Sequence, residues 1–426
     1  MDTSLHESTQ QMLRPGQCVD IYYPDPQTAK KQCFRTTVNT KFQQAFTNVG
    51  SGTSQFTIPP NNGLQDVVIQ LQYLPAAELS GGVATGLALP RAWGYAAIKT
   101  VSFRVGGSSQ FFLSGAQILQ AALENCSDAA ARDSLYALGG SAATTAGAFT
   151  ATNFAYVWLK LPWTTPSAEG KMPPLPTDLL TQQTIVTVEL NPPSFYTSLN
   201  GTATAIPAAL KSASFTAQQV QFINQGDALA RRVDMTSHSL SYPVEFVQQE
   251  VAFPIASSSA SQTISITGFR SGEVKALKVW VDSTADRAVT ANNPLKWYRP
   301  ENLIVTYAGD QYARFDADSS ALWNLVNGKM VPEVAGATLS YASSAYTATA
   351  DSYKWVSVPF GQAYDIGQSA HSMYVSGKEI LNGIVQLQFT LGAEAAGKTA
   401  GSLTMHVSPV YNSVVVFGSG TCDFAF

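Results

Sequence analysis

Trp158-Leu159-Lys160-Leu161-Pro162-Trp163 returns 197 residues later as Trp355-Val356-Ser357-Val358-Pro359-Phe360, an aromatic residue, a short alternating run, a proline and a second aromatic. A second echo follows each of these in the same order: Ile185-Val186-Thr187-Val188 against Ile384-Val385-Gln386-Leu387, at an offset of 199. Upstream, Lys99–Val105 (KTVSFRV) parallels Lys275–Val281 (KALKVWV) at an offset of 176. Three matches in one order predict two copies of a single unit. The smaller third offset predicts copies that differ by about 20 residues ahead of the proline-terminated strand.

The unit is built of strands. Asp66–Tyr73 (DVVIQLQY) places Ile69, Leu71 and Tyr73 on one side and Gln70 and Gln72 on the other, the period-2 pattern of a half-buried strand. Ile98–Val105, Ile185–Leu190, Ala276–Val281, Leu303–Tyr307, Ile384–Leu391 and Ser413–Phe417 alternate in the same way. Helical periodicity is confined to Ala116–Glu124, to Ser127–Leu138 with Ser127 as N-cap and Gly139 as stop, and to Ser319–Asn327 ahead of Gly328. The fold class expected is therefore all-β, two tandem β-sandwiches with short helices in loops. Residues 1–41 hold three prolines and little periodicity, which predicts an N-terminal arm. Residues 42–225 and 226–426 are the two sandwiches, joined within Gln221–Pro243.

Composition narrows the function. Charged residues make up 13% of the 426 residues, about half of the ~25% usual for soluble domains. Apolar content is an ordinary 45%, so large cores can form but a charged coat cannot. The net charge of −4, with no basic cluster longer than the pairs Lys30-Lys31 and Arg231-Arg232, argues against direct nucleic-acid binding. The first residues carry no signal-peptide pattern and no run approaches the ~18 apolar residues of a membrane span. Cys18, Cys33, Cys126 and Cys422 have no disulfide or metal spacing, which predicts free thiols in a reducing compartment, where the sequons at Asn125 and Asn200 stay silent.

Catalytic patterns are missing. No nucleophile elbow, phosphate loop, dinucleotide fingerprint or zinc-protease motif occurs. His6, His238, His371 and His406 are scattered, and the Ser237-His238 and His371-Ser372 neighbours point to opposite faces if they lie in strands. Asp310, Asp316 and Asp318 read as a solvated loop with a helix cap rather than a cation site. Asp282 and Asp286 lack the fixed partner a glycosidase pair needs. Trp93, Trp280, Trp297 and Trp355 read as core, and Gly106-Gly107 as a tight turn. The expectation is no catalytic, cofactor-binding or metal residue, and no enzyme. A carbohydrate-binding or glycan-processing sandwich is the alternative, and it requires exposed Trp and Asp side chains to converge on a groove.

Five segments in order resemble the major capsid proteins of nucleocytoplasmic large DNA viruses. They are Trp93–Gly107 (WGYAAIKTVSFRVGG), Leu159–Trp163 with Pro173–Pro176 and Ile185–Leu190, Glu273–Val281 (EVKALKVWV), Leu303–Phe315, and the closing Val407–Gly420 (VSPVYNSVVVFGSG). The chain departs from that family at Gly367–Tyr374 and at Tyr95, where the family has a histidine, so it resembles a short, divergent member. The resemblance implies a double jelly roll of two eight-stranded sandwiches; a minor or vertex capsid component, normally a single jelly roll, is a further alternative that the internal echo argues against. It further implies homotrimeric, pseudo-hexagonal capsomers tiling an icosahedral shell, and residence in the virion. The implied partners are other copies of the chain, minor capsid and penton proteins, and an inner membrane beneath the shell. The arm would lie at the shell's inner base. A subunit hidden among neighbours also accounts for the low charge, and its remaining charges should gather in end loops and at capsomer borders.

Overall fold

The computed structural model describes residues 37–73, 87–106, 109–124, 129–141, 154–159, 174–199, 206–222, 240–287, 295–298, 300–315, 355–360, 378–380, 384–418 and 420–425. The first sandwich uses eight strands: β1 (Thr37–Ala45), β2 (Gly52–Ile58), β3 (Gly63–Gln72), β4 (Ile98–Val105), β5 (Ser109–Ser114), β6 (Phe154–Leu159), β7 (Thr184–Leu190) and β8 (Ser212–Phe222). One sheet runs β1-β8-β3-β6 and the other β2-β7-β4-β5, every neighbour antiparallel. First strand beside last, second beside seventh: this is the winding of a jelly roll. β1 begins at Thr37, inside the stretch expected as the arm, and pairs along its whole length with β8.

The second sandwich repeats the winding with β9 (Leu240–Val247), β10 (Val251–Ile255), β11 (Gln262–Ile266), β12 (Gly272–Ser283), β13 (Pro300–Tyr307), β14 (Asp310–Phe315), β15 (Val356–Pro359), β16 (Val385–Leu391), β17 (Leu403–Gly418) and β18 (Thr421–Ala425). β9 and β10 share the place of β1 beside β17, which pairs with β12, which pairs with β15. The opposite sheet runs β11-β16-β13-β14. β18 folds back on the end of β17 as a C-terminal hairpin.

This topology confirms two of the echoes and corrects the third. Trp158 lies near the end of β6 and Trp355 just ahead of its equivalent β15, while Lys160–Trp163 fall outside the described residues; Ile185 lies in β7 and Ile384 just ahead of its equivalent β16. Lys99–Val105 lies in β4, however, and Lys275–Val281 in β12, whose true counterpart is β3. Both are central strands with apolar residues alternating inward. Period-2 patterning reports which face of a strand is buried, not its place in the sheet. The length difference inferred from that match came from comparing unlike strands.

The cores follow from the alternation. Val67, Ile69 and Leu71 of β3 and Val385, Leu387, Phe389 and Leu391 of β16 point inward and are buried, while Gln386 and Gln388 are exposed. Phe56 stacks on Phe215 with centroids 4.4 Å apart and meets Phe46 edge-on at 4.8 Å, joining the two sheets of the first sandwich. Short helices close one end: α1 (Trp93–Ala97), α2 (Gly115–Glu124), α3 (Ala129–Leu138) and α4 (Pro193–Tyr196). α2 and α3 match two of the three expected helices and α3 stops at Gly139, whose N–H bonds Leu135 O at 2.8 Å. Ser127 and Ser319–Asn327 lie outside the described residues. Lys278 and Asp282 of β12 are buried within the sheet.

Candidate assembly site: the junction between the two sandwiches

α2 starts with a reciprocal cap. Ser114 Oγ accepts from the Gln117 N–H at 3.3 Å, and Gln117 Oε1 accepts from the Ser114 N–H at 3.0 Å, the S-x-x-Q form of a capping box. That leaves the Gln117 amide nitrogen free to reach out of the first sandwich. It donates to Gln248 O and to Ser408 Oγ of the second, each at 2.8 Å. Ser408 Oγ donates in turn to Gln248 O at 2.8 Å. Gln117 and Ser408 are buried, so these bonds form away from water, where losing a partner is costly.

Gln248 sits between β9 and β10 and holds the second sandwich's side of the contact. Its Nε2 donates to Gly268 O at 3.0 Å, and its Oε1 lies within 3.1 Å of the Arg270 N–H and 3.0 Å of the Tyr411 hydroxyl. Tyr411 OH also lies 2.9 Å from Arg270 O, and burial pushes its ionisation well above the usual phenol range.

The C-terminal hairpin makes the second half of the junction. Phe424 of β18 meets Phe111 of β5 edge-on at 5.8 Å and Phe246 of β9 at 5.2 Å. Gly420 O accepts from Thr181 N at 2.8 Å and Thr181 Oγ1 at 3.1 Å. The β4–β5 turn comes so close that a Cβ on Gly106 would lie 2.8 Å from Cys422 N, and Gly106 has a left-handed φ of 60°. β5 is an edge strand of its sheet, and the hairpin packs against it, shielding an edge that would otherwise invite pairing. Burial, reinforced by Asp423, pushes the Cys422 thiol up to about 12.

The residues weighed for chemistry do not converge. His406 stacks on Trp280 with centroids 5.2 Å apart, its Nε2 3.4 Å from Asp282 Oδ2. Asp286 lies elsewhere, accepting from Tyr298 OH at 2.6 Å and from Lys398 Nζ at 2.6 Å. Lys296 pairs with Glu394 at 2.7 Å, and both lysines lie over the Tyr298 ring. Both lysines are matched by a carboxylate, and the cluster ties the turn after β12 to the short helix α5 (Ala393–Ala396). Burial first, then the Asp286 bond, raises Tyr298 above its ordinary range. Asp310 is exposed at the β13–β14 turn, and Asp316 and Asp318 lie outside the described residues, as do His6, His238, His371, Gly107, Cys18, Cys33, Cys126, Asn125 and Asn200. Trp93, Trp280, Trp297 and Trp355 are all buried. No group of three or more potential metal ligands occurs among the described residues. The Ser114–Gln117 cap was readable as S-x-x-Q before an apolar run; that its amide would span two sandwiches was not.

No family model and no curated protein sequence matches the chain. Solved structures do. The crystal structure of Vp54 from the virus PBCV-1, fitted into a reconstruction of the virophage Sputnik, shares 12% identity at a TM-score of 0.61, covering 92% of this chain and 97% of that one. The structure of the Sputnik virophage gives 14% and 0.57 over 91% and 88%. The Faustovirus major capsid protein gives 9% and 0.55 over 89% and 90%. The chain is a double jelly roll. Both jelly rolls fall within the matched length, so the likeness covers the pair. At these identities the double jelly roll is shared as a fold, and residue-level roles come from this chain alone.

Proposed function

We propose that this chain is a structural capsid subunit that assembles as a homotrimer, six jelly rolls forming a pseudo-hexagonal block that tiles an icosahedral shell. The observation that carries the reading is the junction. Two sandwiches of identical winding are fixed to each other by buried, mutually satisfied hydrogen bonds and by a hairpin that covers an edge strand. A tile needs that rigidity, because a hinge between its halves would spoil the lattice angle. The likeness to capsid double jelly rolls supports the same reading. The subunit turns over no substrate and works by presenting surfaces.

On this reading the low charge follows from shared surface, since a subunit with neighbours on most sides needs little charged coat. The chain acts in the virion, with minor capsid and penton proteins as further partners, and residues 1–41 reach inward toward those proteins or an internal membrane. Among the described residues no helix is long and apolar enough to cross a membrane. The native mass decides the matter: light scattering should give about three times 45.4 kDa. A monodisperse monomer at micromolar concentration would sink the proposal.

A further inference from the structure

The two sandwiches treat the same sheet edge differently. In the second, the strand in the place of β1 is broken into β9 and β10, and each piece carries a proline, Pro243 and Pro254. Proline has no N–H to offer, so an edge strand that contains one is a poor template for another strand. In the first sandwich β1 runs unbroken over nine residues, TVNTKFQQA, with no proline and with Lys41 as its one charge.

The register says which groups of β1 are open. The Phe46 N–H donates to Ala213 O at 2.9 Å, one step beyond the pair Ala45–Ser214. Hydrogen-bonded pairs recur at every second residue of an antiparallel ladder. Gln44, Phe42 and Thr40 therefore turn N–H and C=O toward β8, while Ala45, Gln43, Lys41 and Asn39 turn theirs away. All four of the latter are exposed. Among the described residues no strand pairs with that side of β1. Phe42 lies on the face that carries Phe46 into the core, yet it is only partly buried and meets Phe215 edge-on at 6.4 Å.

We infer that residues 18–23 of the chain's own N-terminal arm add to this edge as an antiparallel strand. Cys18-Val19-Asp20-Ile21-Tyr22-Tyr23 alternates Val19, Ile21 and Tyr23 with Asp20 and Tyr22 and contains no proline. The segment lies outside the described residues, as does the connection 24–36, in which Pro24-Asp25-Pro26 supplies a turn. The buried face fixes the register, because a slip of one residue would turn Val19, Ile21 and Tyr23 to solvent. Ile21 then lies opposite Phe42, Val19 opposite Gln44 and Tyr23 opposite Thr40. Tyr22, Asp20 and Cys18 lie opposite Lys41, Gln43 and Ala45 and complete their open hydrogen bonds. Asp20, the one charge of the segment, comes diagonal to Lys41, the one charge of β1. The arm is the occupant because it is tethered to β1 itself, which gives it a high effective concentration at the edge. An edge so covered no longer templates stray pairing between subunits that have yet to assemble. The inference goes beyond the capsid-subunit reading, and it leaves residues 1–17 to reach inward.

The test uses the full chain with Cys33→Ser and an added Ala45→Cys. The introduced thiol then faces Cys18 across a hydrogen-bonded pair, whose Cα spacing of ~5.5 Å suits a disulfide. Oxidation with diamide should link the two within one chain, at least tenfold faster than in Gln44→Cys, whose side chain lies on the other face. Peptide mass mapping identifies the link, and non-reducing electrophoresis tells a link within a chain from one between chains. A link between chains, or equal rates at the two positions, overturns the inference. Should Ala45→Cys misfold, hydrogen exchange on the unaltered chain replaces it. The amides of Lys41, Gln43 and Ala45 should be protected, and Tyr22→Pro, which removes a ladder N–H, should speed their exchange at least tenfold. Unprotected amides in the wild type, or no change in Tyr22→Pro, overturn the inference. Each of these failures leaves the capsid-subunit reading standing, since native mass tests that reading separately.

Discussion

The two jelly rolls share their strand order and differ in what covers them. The first closes one end with four short helices, buries an aromatic nest of Tyr73, Trp93 and Tyr196 beneath them, and leaves its β3–β6 face partly open. The second has α5 as its one described α-helix, buries charged residues on the corresponding face, and ends in a hairpin that reaches across to its neighbour. Winding is set by which strands pair, and pairing survives wide changes of side chain. The outward positions answer to whatever lies against them, so they record each copy's neighbours. In the second copy that neighbour is the first; hence Ser408 and Gln248, both bonded by Gln117 of the first, where a free sandwich would carry solvated side chains.

That contrast can be broken most forcibly at Trp280. Trp280→Ala removes a fully buried indole packed on His406 and Trp297, and should cost about 3–5 kcal/mol. Urea unfolding followed by fluorescence and by hydrogen exchange separates two outcomes. If the junction couples the copies, strands of the first sandwich lose protection too; protection lost in the second alone would mean that they unfold independently. Gln117 sharpens the point. Gln117→Glu keeps the oxygen that caps α2 but turns a carboxylate toward Gln248 O and Ser408 Oγ, a buried and uncompensated charge expected to cost about 3 kcal/mol or more. Gln117→Ala loses cap and clamp together and should cost about 2–3 kcal/mol. A seam open to water would reverse that ranking.

Much of this was legible in the sequence. Central strands such as β3, β4 and β16 announce themselves by alternation, because one face is core and the other is not. The duplication was legible through β6 and β15, each with a Trp at one end and a Pro four residues further along the sequence. β12 misled because its outward residues are buried as well: with Lys278, Trp280 and Asp282 covered, it looks like any inward-alternating central strand, and its partner in the other copy, β3, carries Asp66, Val68 and Gln70 at those positions. β1 was missed since Thr37–Ala45 (TVNTKFQQA) is an edge strand with few apolar anchors. The junction joins residues 117, 248 and 408, whose sequence separations no local pattern reports.

Two equivalent glycines give a finer comparison. Gly106→Ala must adopt a left-handed φ of 60° and push against Cys422 N at 2.8 Å, whereas Gly309→Ala has a φ of 90° but open space around it. Backbone strain alone costs about 1–2 kcal/mol, so Gly309→Ala should stay in that range and Gly106→Ala should exceed it through the clash. Thermal unfolding of the two variants reads the difference directly. Equal losses would mean that the seam yields at the turn and that the first copy's contact is looser than its geometry.

The smallest expected effect is a pH dependence at the same seam. Cys422 has its thiol raised from about 9 to about 12, chiefly by burial, so the folded chain holds that proton more tightly than the unfolded one. The stabilisation is complete below pH 9 and is lost as pH rises from there toward 12. Cys422→Ser removes the titrating thiol, so its urea midpoint should fall less steeply than wild type between pH 9 and 11, with Tyr196, Tyr298 and Tyr411, all raised chiefly by burial, adding slope in both proteins. The slope belongs to the seam because Cys422 is covered from the first sandwich by Gly106. Identical slopes for the two proteins would place the thiol in contact with water, and the hairpin would then be resting on the first jelly roll rather than sealed against it.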